Sequence, residues 1–221
     1  MVDTSLSLLK AAKSEVLLKP LDAGIWLAPH YTPHPTAFTS SNSALQTLPA
    51  AYVPVGHFAK ADGIAFARST ETSNLESYGE MQPTRMDITA DSTTFAFTPQ
   101  ETNKLVLELT TAADLDAVKG DAESGEVFFA QPTAPSIRYY SAIVIGQDGS
   151  DEEPIYVFKV LPKVAVSNFD GENWTPSTSL GQKLTLTAFK DDTAGFAVGH
   201  GFGGLGWKNK IEKFGFELAT P

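Results

Sequence analysis

Residues 61–109, ADGIAFARSTETSNLESYGEMQPTRMDITADSTTFAFTPQETNKLVLEL, constrain this chain more than any other stretch. Two runs of strand character, Ile64 to Ser69 and Met86 to Phe97, flank a polar loop from Thr70 to Arg85. In the second run Asp87, Thr89, Asp91 and Thr93 alternate with Met86, Ile88, Ala90 and Ser92, and the pattern turns apolar at Phe95 and Phe97. Period-two alternation of this kind specifies a strand with two unlike faces. Thr98-Pro99-Gln100-Glu101 then has the form of a capping box with proline at the first helical position, which predicts a helix through Leu105 and Leu109. The segment is well formed and carries almost nothing reactive, as expected of a building block.

The rest of the chain extends the β pattern. Ser5 to Leu18 reads as a short helix capped by Ser5 and stopped by Pro20, and Gly24 to Ala28 as a strand. Pro29 to Pro54 holds prolines 29, 33, 35, 49 and 54, a density that excludes a helix interior or a central strand. It is read as an extended arm. Tyr31, Phe38, Leu45, Leu48 and Tyr52 are its apolar anchors, and two readings stay open: a long surface loop, or a segment laid on a neighbouring subunit. Asp114 to Gly125 is a charged connection. Ile137 to Ile145 and Ile155 to Val166 form a predicted hairpin with an acidic tip between Gly146 and Pro154, and Lys183 to Phe189 is a further strand. Gly195 to Gly206 reads as a glycine-rich loop, and Lys208 to Phe216 as an amphipathic piece of either type.

Composition narrows the function classes. The 221 residues are 42% hydrophobic, enough for a good core, and include no cysteine, so disulfides, thiolate nucleophiles and Cys-based zinc sites are excluded. No signal-peptide pattern and no membrane-length apolar run are present in the sequence, so no membrane insertion is expected. A formal charge of −10 argues against tight nucleic-acid binding, which depends on clustered cations.

Candidate chemical motifs fail on local grounds. His30 and His34 have zinc-like spacing, but Pro33 and Pro35 forbid the helix that would align them. Asp148, Ser150, Glu152 and Glu153 resemble part of a calcium loop without its terminal bidentate glutamate. The run Gly199 to Gly206 lacks the Lys and Ser/Thr ending of a phosphate loop, and no Gly-x-Ser-x-Gly elbow occurs. No catalytic residue, cofactor or metal is expected.

The order of features resembles the major tail protein, or tail tube protein, of long non-contractile-tailed phages, especially those of actinobacterial hosts. The likeness is carried by Ala23-Gly24-Ile25-Trp26-Leu27-Ala28-Pro29, Pro35-Thr36, Val55-Gly56, Asp62-Gly63-Ile64, and above all Glu76 through Leu109. What the resemblance implies is a mainly β fold: a tail-tube-type β-sandwich or half-barrel with one flanking α-helix and an extended N-terminal arm. Residues 1–54 would form the arm segment and 55–221 the tube domain, with no appended decoration domain. The resemblance also implies a structural virion protein, not an enzyme, that forms stacked hexameric rings.

The tube would hold a tape-measure protein, join tail-tip (baseplate) and tail-terminator proteins, and pass double-stranded DNA without binding it tightly. The expected location is the phage tail of the virion, after synthesis in the host cytoplasm. Asp87, Thr89, Asp91 and Thr93 are the candidate lumen residues, although the bland reading is the wet face of an antiparallel sheet. Glu71, Asn74, Glu76, Tyr78 and Glu80 are the candidate inter-ring loop residues. The alternative is a surface β-sandwich that binds carbohydrate or a receptor through Trp26, Trp174, Trp207 and the Tyr139–Tyr140 pair.

Overall fold

The computed structural model describes residues 5–219; the outermost ends of the two expected segments, residues 1–4 and 220–221, lie outside them. The chain is mainly β, built on an eight-stranded antiparallel sheet. Its strands are β1 (Asp22–Pro29), β2 (Val53–Pro54), β3 (Ala65–Leu75), β4 (Arg85–Phe97), β5 (Tyr140–Gly149), β6 (Pro154–Phe169), β7 (Leu184–Ala188) and β8 (Gly199–Gly203). Three short helices accompany them: α1 (Leu6–Lys10), α2 (Lys104–Thr111) and α3 (Leu205–Lys210). No helix among the described residues is long and apolar enough to cross a membrane.

The sheet runs β2-β1-β5-β6-β7-β4-β3, with β8 on β6. β6 is the pivot. Along one edge it pairs with β8 from Tyr156 to Val160 and then with β7 from Val164 to Phe169. Pro162 falls at this handover, where a strand can spare the amide that proline lacks. The handover lets β7, β4 and β3 turn over β1 and β5, giving the half-barrel form. Phe95, Phe97, Leu184 and Leu186 on one side then share a buried core with Ile25, Leu27, Ala142 and Val144 on the other, closed by Val106 and Leu109 of α2.

β5 is buried on both faces, which explains its unbroken apolar run Ala142 to Ile145. Ala142 and Val144 face the main core, whereas Ile143 and Ile145 join Ala28, Phe158 and Tyr52 in a second cluster on the opposite face. Phe38 and Leu48 pack there as well. The arm is therefore held to its own sheet at Phe38, Leu48 and Tyr52, the last with its hydroxyl 2.8 Å from Ser141 Oγ.

Several local expectations are corrected. Helix α1 keeps Ser5 as its cap but ends at Lys10, where Ala11 turns left-handed, short of Leu18. The polar loop shrinks to residues 76–84, because Thr70 to Leu75 continues the pairing with β4. The capping box does not form. Asn103 caps α2 instead, accepting from the Val106 amide at 2.9 Å. Glu101 is drawn away to the His57 amide at 2.8 Å, and the Thr98 hydroxyl donates to Asp62 at 2.7 Å. Gly56 makes that arrangement possible: its φ is +89°, and a side chain there would collide with the Glu101 carboxylate. The glycine-rich segment is a strand, not a loop, since β8 pairs with β6 and leads into α3. The piece after Lys208 is helical, with Trp207 stacked between Phe202 and Phe214 at centroid distances of 4.6 and 4.4 Å.

Candidate assembly surface

The most distinctive surface is a two-stranded ribbon. β3 and β4 continue far beyond the sheet, and β4 pairs with β7 only from Thr93 to Phe97. Every residue from Ala67 to Ser92 is exposed. Ser, Thr and other β-tolerant residues on both strands keep the ladder going to the Leu75–Arg85 pair, and the Thr84 amide closes the turn on the Leu75 carbonyl at 2.9 Å. Gly79, with φ +88°, shapes the tip. Two strands with neither face covered are marginally stable in water, so such a ribbon is suited to stabilisation by contact.

A β-bulge divides the ribbon. Glu71 pairs with Ala90 and Thr72 with Ile88, leaving Thr89 as the extra residue, its hydroxyl 3.2 Å from the Glu71 carbonyl. One inserted residue reverses the facing of everything beyond it. Asp91 lies opposite Thr70 and Asp87 opposite Ser73, and residues three apart on the unbroken β3 face opposite ways. The four residues expected to share one face are thus separated. Asp91 and Thr93 continue the face of Phe95 and Phe97, Asp87 lies on the other face, and Thr89 marks the switch.

Ion pairs agree with this assignment. Arg68 Nε and the Arg68 terminal nitrogen donate to the two Asp91 oxygens at 2.9 and 2.7 Å, a bidentate clasp that lowers the Asp91 pKa and raises that of Arg68. On the opposite face Arg85 donates to Asp87 Oδ1 at 2.9 and 2.8 Å. Both carboxylates that suggested an acidic stripe are paired.

The face bearing Asp87 runs without interruption onto the body. There the facing pairs are Ala65–Ala96, Ala67–Thr94 and Ser69–Ser92, then Thr94–Thr187 and Ala96–Thr185. Bulky side chains are absent from these five pairs. The reverse side of the same strands carries Phe66, Phe95, Phe97, Leu184 and Leu186, which build the core. Reading alternation in Ala65 to Ser69 against Thr185 and Thr187 would have found this small-residue face; the acidic stripe drew attention away from it.

Of the inter-ring candidates, Glu71 and Asn74 are on β3, and Glu76, Tyr78 and Glu80 are in the tip loop. Tyr78 and Met81 are fully exposed. Of the arm anchors, Phe38, Leu48 and Tyr52 are spent on the chain's own sheet, while Tyr31 and Leu45 remain exposed.

Other candidate groups have local partners. His30 Nε2 lies 2.8 Å from Asp191 Oδ2, away from His34, whose Nδ1 is 3.2 Å from the Pro35 carbonyl. Asp191 also accepts the Thr193 and Ala194 amides at 2.9 and 2.8 Å; the Ala194 amide first, then His30, holds its carboxyl below the usual range. Asp148 accepts the Lys19 amide at 2.8 Å. The aromatics of a sugar platform are scattered: Trp207 is buried, Trp26 is partly buried in the second cluster, and Trp174 is exposed.

The described residues thus form an antiparallel sheet with an exposed two-stranded ribbon and a small-residue outer face. Comparison with curated proteins returned no match. The family model described as phage tail tube protein matches residues 10–198, most of the chain, and on that match the protein belongs to the phage tail tube family.

Proposed function

We propose that this chain polymerises as stacked hexameric rings into the tail tube of a long non-contractile phage tail and forms the conduit for double-stranded DNA ejection. The observation that carries the reading is the ribbon from Ala67 to Ser92, exposed on both faces and hydrogen-bonded only to itself beyond Thr93. In a closed ring, ribbons of neighbouring copies join edge to edge, which removes free strand edges and covers the ribbon. Ring contacts close by rotation, while ring-on-ring contacts extend the tube along its axis.

The lumen in this reading is lined by the outer face, with Thr94, Thr185 and Thr187 on the body and Ala67, Ser69 and Asp87 on the ribbon. Short hydroxyl and methyl side chains offer no cationic anchor for phosphate, Arg85 on the ribbon is paired with Asp87, and the net charge of −10 repels phosphate at longer range. DNA can then pass without sticking. The tape-measure, tail-tip and terminator proteins are the partners, the virion tail is the site of action after synthesis in the host cytoplasm, and no catalysis is involved. Residues 1–54 act as the arm, with Tyr31 and Leu45 free for a neighbour, and 55–221 as the tube domain.

Replacing residues 72–89 by Asn-Gly would close a short hairpin directly on the Glu71–Ala90 pair. The expected product is a folded monomer with unchanged thermal stability that forms no tubes with tail-tip complexes. Normal tubes from this variant would remove the ribbon from the mechanism.

A further inference from the structure

At the root of the ribbon lies an open groove of about 830 Å³, walled by Leu21, Phe58, Ile64 and Phe66 and rimmed by Lys60 and Lys159. This volume falls in the range that binding clefts occupy, roughly 300–1,000 Å³. Its cations are unmatched: neither Lys60 nor Lys159 has a carboxylate partner among the described residues. Lys159 Nζ is partly buried, 4.4 Å from the Phe66 ring centroid and 3.3 Å from His200 Nδ1. Two acids also line the groove, Glu101 bonded to His57 and Asp22 to the Ala23 amide, and neither forms an ion pair with a groove lysine.

The ribbon tip offers the complement. Glu76 and Glu80 have no cationic partner among the described residues, and they bracket the fully exposed Tyr78, with Met81 beside them. We propose that the groove at the root of one copy receives the ribbon tip of another, with Tyr78 and Met81 on its apolar walls and Glu76 and Glu80 against Lys60 and Lys159. This rests on the tube reading of the ribbon and names the surface that the ribbon meets.

Reach excludes self-docking. Phe66 lines the groove and Leu75 precedes the tip, a separation of roughly 30 Å at about 3.3 Å per residue along a strand. Tip and groove on one chain therefore cannot meet, and a contact between unlike surfaces of successive copies either closes a ring or extends a series, according to the rotation between them. The exposed leucines of the N-terminal leg are the competing occupant, since Pro20 and Leu21 lie on the groove. Their segment carries Lys10, Lys13 and Lys19 against Glu15 alone, the wrong sign for two unmatched ammonium groups.

The chain has no cysteine, so disulfide mapping starts from a clean background. A Met81→Cys chain is mixed with a Lys60→Cys chain, assembled on tail-tip complexes and mildly oxidised, beside a Leu9→Cys and Lys60→Cys mixture. Cross-linked dimers from the first mixture alone are the expected result. Tubes that pellet without a Met81–Lys60 cross-link, or that cross-link through Leu9, overturn the docking and leave the tube reading standing. Failure of the wild-type chain to polymerise on those complexes overturns both.

As a second readout, Lys60→Glu should raise the concentration needed for assembly about fivefold, and adding Glu80→Lys should restore it. No restoration, with both variants folded, counts against the pairing.

Discussion

Asp87 and Asp91 sit four residues apart on one strand and point to opposite faces of the ribbon, because Thr89 is inserted between them without a partner on β3. The bulge separates an inward face, clasped by Arg68 and Asp91, from an outward face held by Arg85 and Asp87.

That separation distinguishes two charge reversals. Asp87→Lys places a cation beside Arg85 on the face assigned to the lumen, so tubes should assemble at normal length while DNA ejection slows. Asp91→Lys sets two cations against each other on the inward face, so a higher protein concentration should be needed for assembly, with normal ejection from the tubes that form. Tube length by electron microscopy and DNA release from complemented virions check both, and the opposite pattern would reverse the assignment of faces.

Deleting Thr89 should remove the bulge and restore unbroken alternation along β4. The body of the sheet, anchored by Phe95 and Phe97, stays folded and each ribbon pair keeps its facing, but the ribbon loses the bend of the bulge and its tip is aimed elsewhere. A normal circular dichroism spectrum and melting temperature, together with loss of tube formation, is the expected outcome. Normal assembly would show that the bend of the ribbon is unimportant.

The arm's attachment to its own sheet depends on the buried Tyr52–Ser141 hydrogen bond. Tyr52→Phe keeps the ring in the second cluster and leaves the Ser141 hydroxyl short of a partner, so denaturant unfolding of the monomer should show a loss of about 1 kcal/mol. No change would mean that the arm is not held there in solution.

Acid should loosen the His30–Asp191 clasp. The Asp191 carboxyl is held below its ordinary value, so its contribution is complete above about pH 4, the unfolded carboxylate value, and is lost as pH falls through the lower folded value. The stability gap between wild type and Asp191→Asn should therefore shrink as pH falls below about 4. Urea midpoints over that range check this, and a gap that widens on acidification would contradict it.

The strand content was legible because β-branched and aromatic runs such as Ile155 to Val166 have few other solutions. Reading failed where two local solutions competed and a distant residue decided. Thr98 and Asn103 were both good caps, and His57, more than forty positions earlier, took Glu101 and left the cap to Asn103. The glycines of β8 carried no strand signal, yet their ladder on β6 and close packing against Phe158 suit them to that place. Thr89 gave no local sign of a bulge, since its register is set by pairing with β3 rather than by its own propensity. The faces of the ribbon therefore could not be read from alternation alone.

The central claim is that this chain assembles into an open tube. Purified protein, concentrated and mixed with tail-tip complexes, should give stacked rings with a stain-filled central channel under negative-stain electron microscopy, with matching growth in light scattering. A strictly monomeric sample under those conditions would contradict the claim.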